Sequence, residues 1–130
     1  MKEVVDTRFL MEHFYSTETK RKTSKKLTEL IKSKTGLLPT IVICETVHVT
    51  CEKRGREDAE TRYLSLIRSG LQIQDLNQDI AKQAGLLKCG HKNIPIGDCI
   101  IAATAITNKA KVLSDDTHFD AVKEIKRTWI

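Results

Sequence analysis

The stretch from Asp98 to Ala105, Asp-Cys-Ile-Ile-Ala-Ala-Thr-Ala, constrains this chain more than any other. Beyond its first residue it is apolar nearly all round and rich in alanine. A helix with no polar face to offer to water packs inside the molecule. It leads into Lys111-Val112-Leu113-Ser114, which reads as a strand. Short apolar strand candidates also occur at Glu3-Val4-Val5, Leu37-Leu38 and Leu71-Gln72-Ile73. Helical segments separate them, so the chain alternates strand and helix. That order implies βαβ units and a parallel sheet with helices on both faces, an α/β fold in three layers.

The intervening helices follow from periodicity and punctuation. After Asp6, Phe9, Leu10, His13 and Phe14 recur at helical spacing. Thr19–Lys34 is an amphipathic helix with Leu27, Leu30 and Ile31 on one side and Lys20, Arg21, Lys22, Lys25, Lys26 and Lys32 on the other; Gly36 is expected to end it. From Pro39 the signals conflict. Thr40-Ile41-Val42-Ile43 favours strand on propensity, whereas proline at a first-turn position favours a buried helix. We read a helix over about 40–53, ending near Gly55. Residues 57–69 form another, with Ala59, Tyr63, Leu64 and Ile67 on its apolar face and Gly70 as its cap. Asn77 caps a helix running to about Cys89, and Ile125–Ile130 supply a last edge strand.

Length suits one domain over residues 1–130. The longest apolar runs fall well short of the ~20 residues that cross a bilayer, and Glu3, Asp6 and Arg8 break any signal-peptide core. We therefore expect a cytoplasmic protein without a membrane partner. Cysteines 44, 51, 89 and 99 have no C-x2-C spacing, which argues against zinc, and their apolar neighbours suggest small buried hydrophobes. A net charge of +5 permits a polyanionic partner without requiring one.

Ligands of open parallel sheets gather beyond the carboxyl ends of the strands, where strand order reverses. Asp6 follows Val4-Val5 and Asp116 follows Val112-Leu113-Ser114-Asp115, while Asp98 opens the buried helix that leads into that same strand. Each acid has a plainer role open to it. Asp6 and Asp98 can cap helices, and Asp116 can serve a turn beside Asp115. Glu45 interrupts an otherwise buried segment, where an unpaired carboxylate is costly. Clustered carboxylates repel one another unless a hard dication joins them. Mg2+ or Mn2+ suits all-oxygen ligands, orients water and neutralises charge developing on a phosphate.

Other acidic motifs fit less well. A dehalogenase-like phosphatase wants an aspartate where Arg8 stands, a receiver domain wants paired acids at the first strand, and 116–120 lacks the glycine and final glutamate of a calcium loop. The histidines at 13, 48, 91 and 118 share no ligand spacing; His118 lies near the acids, where it could touch substrate, with a surface turn residue as the favoured reading.

Val4-Val5-Asp6-Thr7-Arg8-Phe9-Leu10, Leu38-Pro39-Thr40-Ile41-Val42-Ile43-Cys44-Glu45, the helix Asp98-Cys99-Ile100-Ile101-Ala102-Ala103-Thr104-Ala105 and Val112-Leu113-Ser114-Asp115-Asp116-Thr117-His118-Phe119 together resemble the PIN domain, a fold of metal-dependent ribonucleases that includes VapC-type toxins. The helix from Asp98 is similar to the family's D-x-x-I-A-A-x-A pattern. The resemblance covers essentially the whole chain, by pattern alone between about 55 and 90. It implies five parallel strands ordered 3-2-1-4-5. It also implies an acidic quartet of Asp6, Glu45, Asp98 and Asp116 holding Mg2+ or Mn2+, with Thr7 and Ser114 bonded to the carboxylates or to metal-bound waters. Asp115 competes with Asp116 for the last position, and Asp120 is read as surface.

The activity implied is hydrolysis of RNA phosphodiesters by a metal-activated water, in a VapC-like toxin inhibited by a small antitoxin. A housekeeping nuclease for rRNA or tRNA, and a non-catalytic RNA-binding or assembly module, are the alternatives. Lys20, Arg21, Lys22 and Lys25 are candidates to hold the RNA backbone, with a solvated helix face as the plain reading. The resemblance also suggests a homodimer through the apolar faces of the middle helices.

Overall fold

The computed structural model describes residues 1–130. In chain order it runs β1 (Glu3–Val5), α1 (Thr7–Tyr15), α2 (Lys20–Ser33), β2 (Gly36–Pro39), α3 (Thr40–Arg54), α4 (Arg56–Ile67), β3 (Gln72–Gln74), α5 (Gln78–Gly90), α6 (Ile96–Asn108), β4 (Lys111–Leu113), a 3-10 turn (Thr117–Ala121) and β5 (Arg127–Thr128). The strands form one sheet ordered β3-β2-β1-β4-β5. All four pairings are parallel, with Val4 opposite Leu37 on one side and Val112 on the other. With right-handed crossovers, the steps β1 to β2 to β3 put α1–α4 on one face, and the return to β4 puts α5 and α6 on the other. Strand order reverses between β1 and β4, as the resemblance implied.

The interior is built where the sequence is most apolar. Val4, Val5, Leu38, Val112 and Leu113 are fully buried strand residues, and α6 buries Cys99, Ile101, Ala102, Ala103, Thr104 and Ala105. The helix that carries Asp98 is thus fixed by packing along nearly its whole length. No helix is long and apolar enough to cross a membrane.

Propensity and pattern conflicted at Pro39, and the helix prevails: Pro39 ends β2 and sits at the N-cap of α3. The buried stripe of α3 is Val42, Thr46 and Thr50. Thr50 shares a hydrogen bond of 3.0 Å with the Tyr15 hydroxyl. At the amino edge of the sheet, the buried Glu3 takes Lys26 Nζ at 2.7 Å and the Thr128 hydroxyl at 2.8 Å, joining α2, β1 and β5.

Four local expectations need correction. α2 stops at Ser33 on a left-handed Lys34, and Gly36 is instead the first residue of β2. A Cβ on Gly36 would stand 2.6 Å from Leu71 Cδ2 and 2.9 Å from Leu30 Cβ, so this glycine admits close packing and does not stop a helix. α4 buries Ala59 as expected, but with Leu66; Tyr63, Leu64 and Ile67 are exposed, and Arg62 lies over the Phe14 ring at 3.8 Å. Cys44, Cys51 and Cys89 are exposed and only Cys99 is buried, since apolar neighbours in sequence do not share a helix face. Helix α6 begins at Ile96, so Asp98 sits inside its first turn and does not cap it.

Gly36→Ala should lower stability by about 1–3 kcal/mol through overpacking. Thermal unfolding followed by circular dichroism checks this; an unchanged midpoint would mean that Leu30 and Leu71 yield freely.

Candidate metal centre

The carboxyl ends of β1 and β4 are joined by one hydroxyl. Ser114, fully buried, donates to Asp6 Oδ2 at 2.6 Å and accepts from the Asp116 backbone N–H at 3.0 Å. Asp6 occupies the N-cap position of α1 yet makes no capping bond, because its carboxylate is turned to Ser114. Asp116 does cap the 3-10 turn, accepting from the His118 N–H at 2.9 Å. Its turn role and its place at the rim are therefore compatible.

Asp98 enters from the other side of the rim. Asp98, Asp116 and His118 offer ligand atoms that all lie within 4.8 Å of one another. His118 Nδ1 is 3.3 Å from Asp98 Oδ2 and 3.3 Å from Asp116 Oδ1. The tightest cluster is thus two acids of the expected quartet plus a histidine read from sequence as a turn residue. Its spacing from Asp116 held the signal, since two residues suffice to turn the ring back inside a 3-10 turn.

The other two acids are tied to this cluster through their neighbours. Thr7, next to Asp6, donates to Glu45 Oε1 at 2.6 Å. Gly97, next to Asp98, approaches Glu45 so closely that a Cβ there would lie 2.9 Å from Oε2. Asp6, Glu45, Asp98 and Asp116 therefore converge with Thr7 and Ser114, whereas no hydrogen bond or ion pair brings Lys20, Arg21, Lys22 or Lys25 to them. Lys20 Nζ donates instead to the His13 carbonyl at 2.8 Å, and Lys22 and Lys25 border a separate recess with Lys26 and Ile130.

Burial, with a smaller contribution from neighbouring acids, shows in the protonation of these groups. Burial, reinforced by Asp98 and partly offset by Ser114, pushes the Asp6 carboxyl up to about 6. Burial also raises Asp98, with Asp116 adding to the effect and His118 opposing it. Asp115 faces outward and pairs through both oxygens with Arg8, which holds its carboxyl below the usual range. Asp116 is thus the inward member of the pair. Asp120 pairs with Arg127 at 2.9 and 3.1 Å on the surface, as its reading required.

The sequence matches the PIN domain over residues 4–125. The chain belongs to the PIN domain family. No curated protein sequence matches it, but several solved structures do. VapBC2 from Rickettsia felis, bound to a promoter DNA fragment, is similar with a TM-score of 0.83 at 18% identity, over 100% of this chain and 99% of that one. DNA-bound VapBC from Salmonella typhimurium gives 0.80 at 15% identity, covering 99% and 98%. The sarcin–ricin loop cleaving toxin VapC20 from Mycobacterium tuberculosis gives 0.74 at 16% identity, covering 94% and 95%. These likenesses extend over 94–100% of this chain.

Two outcomes follow from the acid cluster. A carboxyl whose folded pKa lies above its unfolded value binds its proton more tightly when folded, so the metal-free protein should lose stability as pH rises from about 4 to about 6. A rise of this size at Asp6 corresponds to about 3 kcal/mol, and saturating Mn2+ should flatten the trend; melting midpoints against pH check both. Gly97→Ala should keep the fold, because Glu45 can swing away, yet weaken Mn2+ binding by about 10–100-fold, read by calorimetry.

Proposed function

We propose that this PIN domain is a metal-dependent endoribonuclease of the VapC type, held in check by a small antitoxin protein. One observation carries the reading: Asp98, Asp116 and His118 lie within 4.8 Å at the reversal point of the sheet, with Asp6 hydrogen-bonded behind them through Ser114. The donor set is dominated by carboxylate oxygens, which is what Mg2+ or Mn2+ prefers. Burial first, and the neighbouring Asp98 charge second, push the Asp6 carboxyl up to about 6, and a bound cation would favour its charged form.

Asp6, Asp98 and Asp116 would hold the ion, with Glu45 completing the acidic wall. The ion would supply Lewis acidity and neutralise charge gathering on the phosphate. Hydrolysis forms a bond from water oxygen to phosphorus and breaks the P–O ester bond. The water's proton passes to a carboxylate of the cluster, and the leaving oxygen acquires one. Ser114 and Thr7 keep Asp6 and Glu45 aimed inward, so little reorganisation is needed when substrate arrives.

Likeness to a toxin–antitoxin complex from Klebsiella pneumoniae and to VapBC-5 from Mycobacterium tuberculosis, a member of the VapBC family of toxin–antitoxin systems, supports the antitoxin. The exposed Tyr63, Leu64 and Ile67 of α4 would be the face for a second copy of the chain.

Incubation of single-stranded and looped RNA with Mg2+ or Mn2+ tests the proposal. Wild type should cleave, EDTA should stop it, and Asp6→Asn and Asp98→Asn should each abolish it while staying folded. Cleavage in EDTA, or full activity in both variants, would sink the metal-centre mechanism.

A further inference from the structure

Beside the acidic centre lies a cleft of about 290 Å3 lined by Arg8, Met11, Glu12, Tyr15, Ser16 and Asp115. Its inner end is Arg8, only two residues from Asp6 in sequence and electrostatically coupled to Asp6, Asp98 and Asp116. Its outer end is Tyr15, whose ring has Lys53 Nζ at 5.4 Å and the Arg54 guanidinium at 5.3 Å. One guanidinium, one aromatic ring, two carboxylates and the Ser16 hydroxyl therefore line a cleft whose Arg8 and Asp115 end neighbours the acids of the proposed reaction centre. We infer that this cleft is a subsite for the nucleotide adjoining the scissile bond of single-stranded RNA, with Arg8 leaving Asp115 to bind its phosphate.

The Arg8–Asp115 pair has the properties of a placeholder. Arg8 is 57% and Asp115 37% exposed, so water reaches both partners, and such pairs hold weakly. Arg8 Nη2 reaches Asp115 Oδ2 at 3.2 Å while Nε bonds Oδ1, the two-point geometry a guanidinium also makes with phosphate. Exchange of one anion for the other leaves Arg8 paired and Asp115 hydrated, so no charge is stranded. Arg127 differs: besides Asp120 it holds the Ser114 carbonyl at 3.2 Å, which commits it to anchoring β5. Glu12 and Ser16 offer acceptors to a base edge, and such edges are how single-stranded RNA is read. The cationic surface at Lys53 and Arg54 continues the path for the next phosphate.

This subsite rests on the ribonuclease reading, and it is tested separately from it by binding without turnover. Anisotropy of a labelled single-stranded RNA is measured in Mg2+ on the full chain carrying Asp6→Asn, with and without Arg8→Ala, Arg8→Lys or Asp115→Asn. Arg8→Ala should weaken binding about tenfold and make log affinity against log salt shallower by about 0.7, the loss of one phosphate contact. Arg8→Lys should restore the salt slope but only part of the affinity. Asp115→Asn should tighten binding, because Arg8 is then released. In the otherwise wild-type enzyme Arg8→Ala should raise KM more than it lowers kcat.

Unchanged affinity and slope in Arg8→Ala would overturn the subsite even if wild type cleaves RNA. Weaker RNA binding in Asp115→Asn would overturn it as well, making Asp115 a support of the centre. If wild type fails to cleave yet the Arg8-dependent slope is found, the phosphate contact at Arg8 stands, while the ribonuclease reading and the placement beside a scissile bond fall.

Discussion

The hydroxyl of Ser114 is the point on which the rest of the site depends. It is fully buried between the ends of β1 and β4, giving its proton to Asp6 and receiving the Asp116 N–H. Strand pairing alone would bring these two chain ends to the same edge. The hydroxyl adds direction: it turns Asp6 away from capping its own helix and starts the turn that presents Asp116 and His118. A methyl in its place would leave a buried carboxylate and a buried amide without partners, a larger cost than the bond itself is worth.

Around this contact the fold holds like charges together by packing. Helix α6 is buried through Ala102, Ala103 and Ala105, so Asp98 cannot retreat from Asp6 and Asp116 without disturbing the core. The tension appears in the raised carboxyls of Asp6 and Asp98. Packing thus fixes the positions of the acids at the rim independently of any ligand.

Much of this was legible because it is periodic or terminal. The strands around Val4, Leu37 and Val112, the buried helix from Asp98 and the placement of Asp6 and Asp116 all follow from patterns within a few residues. Glu45 required resolving helix against strand after Pro39, and the proline argument held over β-branched propensity. What escaped depended on contacts between distant segments. Arg8 meets Asp115 across the sheet, His118 meets Asp98, and Arg62 covers the Phe14 ring beside an α4 whose Tyr63, Leu64 and Ile67 face outward. The cysteines show the same limit, since Val42 and Cys44 are close in sequence and lie on different sides of α3.

The buried Glu3, held by Lys26 and Thr128, gives the molecule two unlike ends. At that end, elements from the first, second and last parts of the chain meet in one desolvated ion pair. At the opposite end, charged groups face water and rest on weak, exchangeable contacts such as Arg8 with Asp115. The open sheet is thus clamped like a vice at its base and left open at its jaws, so that whatever seats between the acids works against a fixed frame.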